Sequence, residues 1–171
     1  MINDYLRGQS HIDDHSIHLL FSANRWELVK AIEADITNGI TVIVDRYSYS
    51  GVVYTVAKAN PDLSLDWAWH PEIGLPRPDL CLFLRISPEE AAKRGGFGAE
   101  RYENEPMQRR VRALFQDLFD RQQGEDEAGV RIVDAGRAFE EVSRVIGTAV
   151  DEAMARVGRD VPLRRLGPIQ V

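Results

Sequence analysis

Several groups of residues in this 171-residue chain have the types and spacing to do chemistry. Asp45-Arg46 follows the β-branched run Thr41-Val42-Ile43-Val44. At a strand's carboxyl end a guanidinium presents a planar fork of donors suited to a phosphate, and a carboxylate can orient a group or water near a metal. The same dipeptide also reads as a structural ion pair at a sheet rim. Arg25 stands four residues after Phe21, so on a helix ring and guanidinium share one side. They can stack on a base and hold its polar edge, or simply cover core surface. Arg94 and Arg101 flank Gly95, Gly96 and Gly98, the pattern of a flap that closes over a charged ligand or of a solvated helix break. His11, His15 and His18 have the i, i+4, i+7 spacing of a metal face, but no cysteine or further histidine stands at a ligand spacing, and no metal site is expected there. Trp67, Trp69 and Tyr54 are base platforms or core anchors.

Holding such groups in place requires a core. The chain is 44% hydrophobic and 28% charged, a composition that lets a domain of this size bury about 70% of its unfolded surface. One compact soluble domain is expected. Thirteen Gly and eight Pro exclude a collagen-like or wholly disordered chain. A net charge of -6 and a pI near 5.2 argue against nucleic acid as a partner. Only Lys30, Lys58 and Lys93 are lysines among the 21 basic residues, which favours bidentate recognition of phosphate or carboxylate by arginine. No apolar stretch reaches the roughly 20 residues that span a bilayer, and residues 1–16 have neither signal-peptide nor transit-peptide character. A cytosolic or nuclear protein with no membrane partner is expected, its single Cys81 buried and reduced.

The elements follow from local signals. Residues 13–39 read as a helix capped by Asp13 or Asp14 and stopped at Asn38-Gly39, with an apolar face wide enough for a second subunit. Thr41–Val44 reads as a strand buried on both faces, 48–60 as a short helix, and 61–78 as an ordered connection. A second buried strand spans 80–86, and Ser87-Pro88-Glu89-Glu90 starts a helix. Helical periodicity resumes over 105–123, a third strand covers 130–133, and a last helix covers 139–157. Strands alternating with helices predict an α/β fold with a parallel sheet, whose ligands bind beyond the carboxyl ends of the strands. Asp45-Arg46, the residues after Ile86, and Asp134-Ala135-Gly136-Arg137 stand at such ends.

Four strings in this order, DHSIHLLFSANRWE, VDRYSYSGVVYTVAKAN, LSLDWAWHPEIGLPRPDLCLFL and AAKRGGFGAERYEN, resemble the thymidylate (dTMP) kinases of eukaryotic, especially fungal, type. The resemblance runs from about Tyr5 to Met154. It implies a P-loop kinase fold, a three-layer parallel sheet with flanking helices. It implies phosphoryl transfer from ATP to dTMP, giving dTDP for dTTP biosynthesis, with Mg²⁺ as cofactor and a homodimer formed through the 13–39 helix. By motif, Phe21 would stack on thymine, Arg25 would bond its edge, and Arg46 would grip the dTMP phosphate. Asp45 would serve the nucleophile and, through water, Mg²⁺. Ser50 and Gly51 would line the base pocket, Tyr54 would lie against the sugar, and Gln108 would approach the base. In the flap, Arg94 would sit near adenine, Arg101 near the phosphates and Glu100 near the acceptor sugar. Ala135, Gly136 and Arg137 would form the adenine-side loop.

The 171 residues contain no G-x-x-x-x-G-K-[ST], the loop whose amides and lysine cradle ATP phosphates. The resemblance places that loop, with the family's first and second strands, ahead of Tyr5. The expectation is a kinase-like domain over 1–157 lacking those parts, followed by a loose tail over 158–171. The first strand would lie between 41–44 and 80–86, and each buried amide left without it costs about 1–3 kcal/mol. Such a chain is expected to be inactive alone. A non-catalytic dimerisation or regulatory partner of an intact kinase and a deoxynucleoside kinase are the alternatives.

Overall fold

Asp13 starts the longest element, its carboxylate accepting from the amides of His15 and Ser16 at 3.0 and 3.1 Å. Helix α2 then runs over Asp14–Thr37, after a short α1 over Ile2–Leu6. It ends where Gly39 turns to a φ of 80°, the Gly39 amide bonding Ile36 and the Ile40 amide bonding Asp35, a Schellman stop. A computed structural model describes residues 1–93, 105–122, 129–158 and 161–169. The described residues fall into two compact units, not the single body that composition suggests: one holds 1–76, 105–122 and 165–169, the other 77–93, 129–158 and 161–164.

The first unit is helical and centres on α3, Ser48–Val56, whose sequence SYSGVVYTV carries no charge and can be buried on most sides. Around it pack α2, α4 (Leu65–Trp69) and α6 (Glu105–Gln122). Val52, Val53, Ala68, Trp69 and Leu118 are fully buried, and the Tyr49 ring lies 5.6 Å from Trp69 and 6.1 Å from Phe119. Arg110 Nε donates to the Ala57 carbonyl at 2.6 Å, tying α6 to the end of α3. Lys58 donates to Asp14 at 2.9 Å and lies over the buried Tyr5 ring, tying that same end to α2 and α1.

In the second unit β1 (Cys81–Arg85) and β2 (Val130–Asp134) pair in parallel, from Cys81 opposite Val130 to Arg85 opposite Asp134. Helix α5 (Pro88–Lys93) opens on the expected cap, the Glu90 amide bonding Ser87 Oγ at 3.1 Å, and α7 (Phe139–Arg156) packs on β2. The result is α/β with a small parallel sheet and flanking helices.

Three expectations are corrected. Thr41–Val44 is not a strand: Ile43 is 92% exposed, and no described strand pairs with the run, so its β-branched residues have nothing to form a ladder with. Among the described residues the sheet therefore has two strands, and Leu84 and Ile132, expected inside, are exposed. The tail is not loose over 165–169. Leu166 exchanges backbone bonds with Leu75 and Gly74 at 2.9 and 2.8 Å, Trp69 Nε1 donates to the Gly167 carbonyl, Arg165 pairs with Glu33, and Leu166 and Ile169 are buried. Among the described residues, no helix is long and apolar enough to cross a membrane.

Candidate functional site

The first unit assembles its polar site between α2, α3 and a 3-10 turn over His70–Glu72. Arg25 lies on α2 between the buried Ser22 and Val29, and it reaches across to Glu72. Its Nε donates to Oε2 at 2.6 Å and its Nη2 to Oε1 at 2.5 Å, a bidentate fork. The Glu72 side chain is 0% exposed and that of Arg25 12%. The turn is itself fastened to α2, because the Pro71 carbonyl accepts from Ser22 Oγ at 3.1 Å and from Trp26 Nε1 at 2.7 Å. Gly51 on α3 completes the seat: a Cβ there would lie 2.9 Å from both terminal nitrogens of Arg25. Phe21 stands half-buried one turn before Arg25, and Ser50 half-buried beside Gly51.

His18, one turn before Ser22, is fully buried, with Nε2 2.8 Å from the Ala68 carbonyl and Nδ1 2.8 Å from the Thr55 hydroxyl. A carbonyl only accepts, so Nε2 carries the proton and Thr55 donates to Nδ1. Burial pulls its pKa below the usual histidine value. His15 instead lies edge-on to Trp67 at 4.8 Å. His18 thus joins α2 to α3 and α4, and His15 lies against α4.

At the start of α3, Arg46 takes a φ of 61°, a left-handed conformation for a residue with a Cβ. Such backbone costs about 1–3 kcal/mol and gathers at functional sites. It brings the guanidinium over the Tyr54 ring, 4.9 Å from the centroid. Asp45 and Arg46 are exposed and, among the described residues, form no ion pair with each other, so the rim-pair reading gives way. Tyr47 provides no side-chain cap to α3, whose first turn follows Arg46. The buried Tyr47 hydroxyl has no partner, and burial, with the nearby Glu72 charge, pushes its pKa up to about 12. Gln108 is half-buried on α6, which packs on α3.

The second unit places Asp134 at the carboxyl end of β2 and Ala135, Gly136 and Arg137 just beyond it. The Ala135 amide bonds the Arg85 carbonyl at 2.8 Å, and the Gly136 amide bonds Asp134 Oδ1 at 3.0 Å. Arg137 donates to Glu141 at 2.6 Å and to Asp134 at 3.4 Å. The Gly136 amide, then Arg137, holds the Asp134 carboxyl below its usual range. Arg94, Glu100 and Arg101 of the flap lie outside the described residues.

Arg25 and Gly51 are thus brought together, as are Arg46 and Tyr54, while Phe21 stands one turn from Arg25, Ser50 beside Gly51, and Asp45 exposed before α3. Glu72 is the residue that sequence reasoning missed. Its signal was slight: one acid inside the apolar, Trp- and Pro-rich stretch between Asp66 and Asp79.

The comparisons agree with one another. The thymidylate kinase family model matches residues 1–146. The thymidylate kinase of Homo sapiens is 43% identical over 166 residues, covering 97% of this chain and 75% of its own length. That of Arabidopsis thaliana is 45% identical, covering 97% of this chain and 59% of its own length. That of Danio rerio is 44% identical over 146 residues, which are 66% of its length. The chain therefore spans between 59% and 75% of these relatives. A solved thymidylate kinase structure from Candida albicans, described as having broad substrate specificity, superposes with a TM-score of 0.84 at 34% identity. It covers 96% of this chain and 79% of its own.

Proposed function

This chain belongs to the thymidylate kinase family, and from that premise we propose that it carries the dTMP site of an ATP-dependent phosphoryl transfer yielding dTDP. The observation that carries the reading is the Arg25 guanidinium, forked on buried Glu72 and seated against Gly51. An arginine held this way offers donors at a fixed place, which suits a base edge rich in carbonyl oxygens. Thymine stacks on Phe21, Ser50 and Gln108 border it, and the sugar lies against Tyr54. The dTMP phosphate meets Arg46 and the first amides of α3. Ala135, Gly136 and Arg137 serve ATP, and the resemblance assigns nucleotide contacts to Arg94, Glu100 and Arg101, which lie outside the described residues.

In the reaction an oxygen of the dTMP phosphate attacks the γ-phosphorus in line. A new P–O bond forms, the bond to the β-bridging oxygen breaks, and ADP leaves with its electron pair. The protein contributes position and positive charge, so Arg46 and the flap arginines act by stabilising the spread negative charge. Asp45, an acceptor only, would act on the phosphate through a water or a cation between them. A lone exposed carboxylate does not make a Mg²⁺ site, and among the described residues no three metal-ligating side chains come together. Mg²⁺ in such reactions is held largely by the substrate phosphates.

The 171 residues contain no Lys-bearing phosphate loop of the G-x-x-x-x-G-K-[ST] kind. A second reading is a subunit that pairs with another family member. The exposed apolar residues Leu19, Trp26, Leu28 and Ile36 of α2 support pairing through that helix, in a homodimer or with such a kinase. Calorimetric titration of the chain with dTMP tests the first claim. Saturable binding is expected, reduced at least tenfold in Arg46→Ala. No saturable binding sinks the reading, and thymidine binding as tightly as dTMP replaces it with a deoxynucleoside kinase. Copurification with an intact family member decides the second.

A further inference from the structure

We propose that Glu72 is a positioning residue that sets base selectivity by immobilising Arg25, and that Gly51 serves the same end by leaving room for the guanidinium. The proposal deepens the dTMP reading and rests on it. Arginine has five N–H donors and no acceptor. Two of them, on Nε and Nη2, are spent on Glu72, and the carboxylate fixes the plane of the fork. The remaining donors, two on Nη1 and one on Nη2, lie on the side of the guanidinium where Gly51 presents no side chain. That edge can only donate. Thymine and uracil present a carbonyl at C4, whereas cytosine presents an amino group there, so a fixed donor edge meets a donor. A free arginine could swing aside to admit cytosine.

The lock has no slack. Glu72 is fully buried on a turn that Ser22 and Trp26 pin to α2, the helix that carries Arg25 itself. Donor and acceptor therefore move as one body. From the other side, any side chain at position 51 would push on both terminal nitrogens. Selectivity between a carbonyl and an amino group is where such sites discriminate most, because the wrong base leaves buried donors unpaired.

The test measures dTMP and dCMP affinities of the full chain by calorimetry, alongside thermal melting. Glu72→Gln, which keeps the shape and removes the charge, is expected to weaken dTMP about tenfold or more and to lower the dTMP-to-dCMP preference by a similar factor. Gly51→Ala leaves Glu72 intact and is expected to shift the preference the same way, which keeps the test alive if Glu72→Gln does not fold. A purely structural role would reduce both affinities by one factor, and that result, or unchanged affinities in folded variants, overturns the proposal. Failure of the unsubstituted chain to bind dTMP is a separate outcome that overturns the functional reading, and the inference with it.

Discussion

Arg25 and Arg137 are both held by carboxylates, and burial separates what the two arrangements do. Arg25 sits on a carboxylate shut off from water, within the helical unit. Arg137 sits on Asp134 and Glu141 at the rim of a two-stranded sheet, all three side chains substantially exposed. In the first, water cannot substitute for either partner, so geometry is imposed. In the second, water competes at every bond and the arginine can exchange partners when a ligand arrives. A rigid buried fork and an adaptable exposed loop thus use the same chemistry at different dielectric.

The sharpest way to break this contrast is to remove one partner from each. Glu72→Ala strands the Arg25 charge in a closed site and is expected to cost about 3–5 kcal/mol in urea unfolding. Arg137→Ala is expected to shift the same transition by no more than its experimental error. Comparable losses from both would mean that burial does not separate them.

Next in size is the packing beneath each arrangement. Leu118 is fully buried in the helical unit, whereas Leu84 on β1 is half exposed. Leu118→Ala is expected to destabilise by about 2–5 kcal/mol, and Leu84→Ala by well under half of that. An equal response would show that the sheet has more cover than its exposure indicates.

How far the sequence revealed this division depends on the range of the interactions concerned. The bounds of α2 were legible because their signals are local: Asp13 caps its own next residues, and Asn38-Gly39 stops its own helix. The Ser87 cap was legible for the same reason. Thr41–Val44 misled because a β-branched run becomes a strand only with a partner, and pairing is not written in the run itself. Residues 165–169 looked loose because their order comes from Leu75, Gly74 and Trp69, about 90 residues away along the chain. At the site, Phe21, Arg25, Asp45 and Arg46 were candidates from type and spacing. Ser50, Gly51 and Gln108 came through the family resemblance. Glu72 was invisible, because the partner of a buried arginine is chosen by tertiary contact and no spacing rule identifies it.

A smaller effect separates the two units by pH. His18 is neutral in the fold, facing the Thr55 hydroxyl and the Ala68 carbonyl, with Glu72, Arg25 and Lys58 nearby. Its folded pKa is depressed, so below about pH 6.5 the unfolded chain binds a proton that the native chain does not. Stability is therefore full above that pH and falls as pH drops toward the folded value, by at most about 1.4 kcal/mol per unit. Urea midpoints between pH 8 and 5 should show the fall, and His18→Gln should flatten it. A slope that survives the substitution assigns the effect to another group.

The smallest effect lies at the rim. The Asp134 carboxyl is held low by the Gly136 amide and then by Arg137, so its contribution is present above the unfolded carboxylate pKa and lost as pH falls through the lower folded value. Because the group is exposed, salt should screen the Arg137 part and spare the Gly136 bond. Asp134→Asn keeps an acceptor for the Gly136 amide while removing the charge. Its unfolding midpoint should differ from the unsubstituted chain only slightly at low ionic strength and coincide with it in 0.5 M salt. The Glu72→Gln midpoint, compared in the same two buffers, should stay displaced, since a pair closed to water is closed to counterions. If salt closes both gaps alike, then Arg25 is held no more firmly than Arg137, and the fixed donor edge loses its basis.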